Sequence, residues 1–132
     1  MNTYKRLTPC IFIHDGKAVK WFDNSEVLAD DVVELAKKYC KSDAKELIVF
    51  DLSETDEQHD MAIDLMKKIN REIHIPMLAG GNIKRLEDAK KILYAGAKYV
   101  ILKNLSALKI LIILFLNRIG VLVKNVALLQ NV

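Results

Sequence analysis

Residues 75–89 (IPMLAGGNIKRLEDA) place the strongest constraint on how this chain can fold: a short apolar run, a glycine pair, then apolar residues at helical spacing. A strand that ends at Gly80 and Gly81 and passes straight into a helix is a βα unit, because residues without a Cβ let the backbone turn this sharply. The same turn is a candidate anion cradle. Its N–H groups can approach a phosphate closely, and the following helix adds the positive end of its dipole. Because an ordinary βα turn uses the same residues, the glycine pair alone leaves both readings open.

The alternation of strand and helix repeats along the chain. Thr8–His14 is an apolar, partly β-branched run that reaches the turn Asp15-Gly16, and Lys17–Phe22 continues it in extended form as strand one. Asp30 or Asp31 caps a helix through Cys40, with Val32, Leu35, Ala36 and Tyr39 at three- and four-residue spacing. Glu46–Leu52 is a nearly continuous apolar run ending around Asp51, the pattern of a strand covered on both faces. Thr55 and Gln58 form a capping-box pattern opening a helix to about Asn70, on which Met61, Leu65, Met66 and Ile69 make one stripe. Strand three is Ile75–Ala79, helix three is Arg85–Ala95 with Gly96 just past its end, and strand four is Tyr99–Leu102. Strands separated by helices predict right-handed βαβ units and a parallel sheet. An open doubly wound sheet would carry its glycine-rich loop after the first strand, not the third. A complete eight-unit barrel needs about 250 residues, and the chain has 132.

Charge and cysteine use narrow the function classes. Residues 1–88 hold all 17 acidic residues against 13 basic ones, a net −4, whereas 89–132 hold seven basic and no acidic residues, a net +7. Those late cations are scattered through apolar sequence without interleaved aromatics, which argues against nucleic-acid binding. The apolar stretch 107–129 is interrupted by Lys109, Asn117 and Arg118 and falls short of the roughly 20 apolar residues of a membrane span. Cys10 and Cys40 lack metal-ligand spacing and read as small buried hydrophobes in a reducing cytoplasm. His14 reads as a satisfied or solvated histidine, and His59 and His74 as surface histidines. No metal or organic cofactor is implied.

Several spaced motifs carry a family resemblance. They are Arg6-Leu-Thr-Pro-Cys10, Asp15-Gly-Lys-Ala-Val-Lys20, Val33-Glu-Leu-Ala-Lys37, Glu46-Leu-Ile-Val-Phe-Asp51, Ile75-Pro76 with Gly80-Gly81, and Ala95-Gly-Ala97. Over 6–106 the chain resembles the first half of the histidine-biosynthesis (βα)8 barrels. That family includes the cyclase subunit of imidazole glycerol phosphate synthase and its sister sugar isomerase, and the Pro-Cys pair leans toward the cyclase. The resemblance implies an α/β, TIM-barrel-like parallel half-barrel over 1–106 and an atypical apolar, basic tail over 107–132. It implies a phosphorylated ribose-type ligand and a glutaminase partner that supplies ammonia. It places Lys20, Asp51, Ser53, Gly80 and Gly81 among first-half substrate contacts, with Asp51 as the candidate catalytic carboxylate at a strand end. Lys103 and Asn104 stand where the family ends strand four with a phosphate-binding pair.

Departures from the family pattern bear on activity. The cyclase has a catalytic Asp two residues after the Pro-Cys cysteine; here that residue is Phe12, whose phenyl ring transfers no proton. Asn82 replaces a third glycine. Nothing after 106 matches the family's second half. The tail reads either as a helix followed by a strand at Val121–Leu129 or as a truncated or frame-shifted remnant. Unpaired sheet edges and an uncovered inner face predict self-association. The functional expectation is an impaired or inactive cyclase-like protein that binds phosphate or sugar phosphate; the alternatives are a non-catalytic binding relative and a remnant without selected function.

Overall fold

The computed structural model describes residues 8–102 and the short strand Val126–Leu128. Seven strands form one sheet in the order β3-β2-β1-β4-β5-β6-β7. They are β1 (Cys10–His14), β2 (Lys17–Trp21), β3 (Asn24–Ala29), β4 (Leu47–Asp51), β5 (Met77–Gly80), β6 (Tyr99–Leu102) and β7 (Val126–Leu128). From β1 to β7 every pairing is parallel, as the strand and helix alternation predicts. β7 lies within the segment expected to be a strand near the end; the remainder of the tail lies outside the described residues.

The other end of the sheet differs from expectation. Lys17–Phe22 does not prolong strand one. It folds back on β1 as an antiparallel hairpin, with Phe12 opposite Val19 and His14 opposite Lys17. Asp15 and Gly16 both have positive φ, 50° and 76°, the conformation of a two-residue primed turn. A further antiparallel strand, β3, then forms the sheet edge, with register irregularities against β2 and an almost entirely exposed surface. Its polar sequence gave no alternating pattern to read.

Three helices pack on one face of the sheet. α1 (Val32–Lys41) is capped by Asp31, whose Oδ1 accepts from Glu34 N at 3.1 Å, and it buries Val32, Ala36 and Cys40 at four-residue spacing. α2 (Asp56–Glu72) starts after Thr55, whose hydroxyl accepts from Gln58 N. The return bond of the box is displaced by one residue: Gln58 Oε1 accepts from Glu54 N, not from the Thr55 N–H. α3 (Leu86–Tyr94) ends at Gly96, whose φ of +110° makes it a left-handed terminator. Ile11, Ile13, Val49, Met77, Ala79, Val100 and Leu102 of the sheet join Ala62, Met66, Ile69, Ala89 and Ile92 of the helices in the main core.

The opposite face carries a smaller aromatic cluster. Phe12, Val19, Phe50 and Ile101 are buried there, with Phe22 and Leu78 packed against them. Phe12 stacks on Phe50 with ring centroids 5.5 Å apart and planes 11° from parallel, and meets Phe22 edge-on at 4.7 Å. Trp21 caps this cluster and is 54% exposed. Among the described residues, no helix is long and apolar enough to cross a membrane.

Candidate functional site

The carboxyl ends of β4 and β5 bring together Asp51, Ser53, His59, Asn82 and Asp88. Asp51, the last residue of β4, pairs in register with Ile13, so its side chain shares the helix-facing side of the sheet. Its carboxylate is fully buried. One oxygen accepts from Ser53 N at 2.9 Å, and the other accepts from His59 Nδ1 at 2.5 Å. A carboxylate only accepts, so Nδ1 carries the proton in this pair. His59 lies one turn into α2, four residues after Thr55, and that placement brings its ring over the end of β4.

This corrects the surface reading of His59. The histidine is nine-tenths buried, and its Nε2 has no hydrogen-bond partner among the described residues. Across from Nε2 lies Asp88 Oδ1 at 4.0 Å, beyond hydrogen-bond reach, and the same oxygen is 3.8 Å from the Arg85 guanidinium. Asp88 is itself buried at the start of α3, and its Oδ2 accepts from the N–H groups of Lys84 and Arg85 at 2.9 and 3.1 Å. The α3 N-terminus therefore already holds a carboxylate of its own, and Asp88 fills part of the anion-binding capacity expected there.

The glycine pair has a packing reason as well as a ligand reason. A Cβ at Gly80 would meet the Ile101 carbonyl oxygen of the neighbouring strand at 2.5 Å. At Gly81, where φ is +93°, a Cβ would run into the Asp51 backbone. Asn82 follows with φ +55°, and its Nδ2 donates to Ser53 O at 2.6 Å and Ser53 Oγ at 2.8 Å. The residue in place of the third glycine thus ties the β5–α3 turn to the β4–α2 turn. An amide side chain in a left-handed position was the available signal.

Ser53, Thr55, His59, Asn82, Lys84, Arg85 and Asp88 are among the residues lining a cavity of about 390 Å³ at this end of the sheet. Asp51 does not line it; the carboxylate reaches the cavity only through the ring it holds. Lys20 is not brought here. It lies exposed on β2, with its ammonium 3.0 Å from Glu26. Lys103 and Asn104 lie outside the described residues. Of the remaining histidines, His14 faces Glu54 at 3.4 Å, and exposed His74 lies against Cys40 Sγ at 3.3 Å. Cys40 is buried in the main core; Cys10 is half-buried, and burial pushes its thiol pKa up. Among the described residues, no group of three or more ligating side chains could hold a metal ion.

Residues 6–114 match the family model described as histidine biosynthesis protein. The chain belongs to the histidine-biosynthesis protein family. Its sheet is accordingly a partial half-barrel of a TIM-barrel family, with the antiparallel hairpin added at one side. Similar curated proteins carry the name imidazole glycerol phosphate synthase subunit HisF. The one from Exiguobacterium sibiricum is 41% identical over 107 residues, 80% of this chain and 42% of that protein. That of Methanococcus maripaludis strain C5 is 40% identical over 106 residues, 80% of this chain and 39% of its own length. The Synechocystis protein is 39% identical over 101 residues, covering 76% of this chain and 39% of the relative. The chain thus spans about two fifths of the length of these relatives. Phe12 sits in the aromatic cluster, 4% exposed, with no carboxylate among its ring partners.

Proposed function

We propose that this histidine-biosynthesis family member binds a phosphorylated ribose-type ligand at the carboxyl ends of β4 and β5 and does not carry out cyclase chemistry. The observation that carries the second half of this reading is Phe12, stacked on Phe50 and buried where the resemblance calls for a proton-transferring carboxylate. The first half is supported by the close, left-handed backbone at Gly81 and Asn82, by Lys84 and Arg85 at the cavity, and by relatives named for a glycerol phosphate product. In this reading Asp51 acts through His59, and Ser53, Gly80 and Gly81 shape the ligand's seat. Lys103 and Asn104 remain proposed contacts from the strand that follows.

The test is a titration of the full chain with inorganic phosphate and then a ribose-phosphate nucleotide, following the amide signals of Gly80, Gly81, Asn82 and Asn104. Saturable shifts at these residues, with no product formed when ammonia is supplied, is the expected result. Product formation would overturn the inactive reading, and absence of shifts would overturn the binding one.

Self-association belongs to the same proposal. It is supported by the exposed edge strand β3, with Val27 and Leu28 open to solvent, and by Trp21 on the helix-free face. Glutaminase docking, implied by the resemblance, is tested by co-purification with a glutaminase subunit of the same pathway.

A further inference from the structure

Asn82 donates twice to Ser53, and this arrangement decides what the serine can offer a ligand. Asn82 Nδ2 lies 2.6 Å from Ser53 O and 2.8 Å from Ser53 Oγ. The first contact fixes the amide: a carbonyl oxygen only accepts, so the atom facing it is the amide nitrogen and not the amide oxygen. The second contact then has one polarity. An amide NH2 only donates, so Ser53 Oγ accepts there, and the hydroxyl proton is left for another acceptor.

Among the described residues, no oxygen takes that proton. Ser53 is nevertheless buried and held at three points: its N–H donates to Asp51 Oδ1 at 2.9 Å, and its O and Oγ are both held by Asn82. It lines the cavity of about 390 Å³, so its hydroxyl is a preset donor for an acceptor placed there. The charges at the cavity say which kind of acceptor fits. Arg85 faces Asp88 and Lys91 faces Asp60, each at 3.8 Å, whereas the Lys84 ammonium has no carboxylate partner among the described residues. A neutral oxygen would serve the hydroxyl alone; an anionic oxygen also attracts the lysine and makes the stronger, charge-assisted bond.

We propose that Asn82 is a positioning residue that makes Ser53 a dedicated hydrogen-bond donor to a phosphate oxygen of the ligand. The proposal rests on the phosphorylated-ligand reading and adds to it the atom that takes up the phosphate and the residue that orients that atom. A glycine at this place has no side chain with which to turn the serine hydroxyl, so the device belongs to the chain that carries an amide there. Ser53 and Asn82 lie 29 positions apart and meet only where the turns after β4 and β5 touch.

The experiment measures the affinity of the full chain for inorganic phosphate and ribose 5-phosphate by calorimetry, in the parent, Ser53→Ala, Ser53→Thr, Asn82→Gly and the Ser53→Ala/Asn82→Gly double variant. Glycine suits the left-handed backbone at 82, where φ is +55°, and thermal unfolding of each variant reports the fold. Ser53→Ala should weaken both ligands by about tenfold or more, the loss of a hydrogen bond to a charged group. Ser53→Thr should recover most of that loss, and Asn82→Gly should weaken binding severalfold. The double variant should bind no more weakly than Ser53→Ala alone, because the amide acts through the hydroxyl. Additive losses, or parent affinity in Asn82→Gly, would overturn the positioning role. Parent affinity in Ser53→Ala would overturn the donor and leave the phosphate reading standing. A parent chain that binds neither compound would remove the phosphate reading and the proposal with it. One measurement needs no variant: when phosphate saturates the parent, the Asn82 side-chain proton bonded to Ser53 Oγ should shift in the NMR spectrum, through the hydroxyl they share. Binding of phosphate with that proton unmoved would overturn the proposal.

Discussion

Asp51 at the end of β4 and His59 on the second turn of α2 are joined by a 2.5 Å hydrogen bond inside the protein, where the carboxylate has no contact with solvent. The bond fastens a helix to a strand end through two polar groups in the middle of a packed layer. Asp51→Ala would leave both the His59 ring and Ser53 N without an acceptor. Leaving a buried donor unpaired costs about 1–3 kcal/mol, so the midpoint of urea unfolding should fall clearly. Asp51→Asn, which keeps an acceptor oxygen, should cost less. A midpoint unchanged in Asp51→Ala would mean that the pair does not hold the site together.

Gly81→Ala tests whether the glycine pair is required by packing before any ligand arrives. The backbone there is left-handed, and the new methyl would press on the main chain of Asp51. Residues forced into such conformations cost about 1–3 kcal/mol, and the clash adds to that. Thermal unfolding without ligand should show the loss; an alanine variant as stable as the parent, with only phosphate binding reduced, would show that the glycine serves the ligand alone.

Phe12→Asp should not create a cyclase. The substitution restores the carboxylate of the family pattern but places it against Phe22 and Phe50. Losing a buried phenyl ring costs about 3–5 kcal/mol, and a charge in its place is disfavoured further. The expected outcome is a less stable protein without ammonia-dependent turnover, checked by circular dichroism alongside product analysis.

Lysines at Val27 and Leu28 should weaken self-association. Both side chains are exposed on the edge strand β3, and charges on such an edge oppose pairing with another chain. Light scattering across a concentration series should give a smaller mass for the double variant. An average mass independent of concentration, and equal to one chain in the parent, would remove self-association through this edge.

Cys10 gives a pH-dependent readout of the β1 end. Burial raises its thiol pKa above the ordinary value of 9.0, so the folded state favours the protonated form. The resulting stabilisation is present in full below the unfolded-state pKa and is lost as pH rises through the higher folded value. Alkylation by iodoacetamide should therefore be slower than for a free thiol at neutral pH and accelerate only in strongly alkaline solution. Rapid labelling at pH 7 would contradict the burial.

Most of the parallel layer was legible because each element announces itself locally. The continuous apolar run before Asp51, the Thr55 cap, and Gly96 after helix three all depend on residues a few positions apart. The hairpin was half legible: Asp15-Gly16 is a primed-turn pair, yet β2 reads equally well as a continuation of β1, and the polar edge strand has no alternation to mark it. The site was legible only as a place. Ser53 and the glycines were found at the strand ends, but the partners His59, Asn82 and Asp88 were not. Their roles follow from packing α2 beside α3, which no local spacing encodes.

The hairpin also sets the kinetics of any assembly that would continue the sheet past β1. With Val19 opposite Phe12 and Lys17 opposite His14, the upper half of β1 already has both hydrogen-bonding edges occupied. An incoming strand from another polypeptide would find a toehold only near Cys10 and Ile11, and would have to displace β2 step by step toward the Asp15-Gly16 turn. Joining there is an exchange reaction, with a rate governed by how readily two turn residues let go.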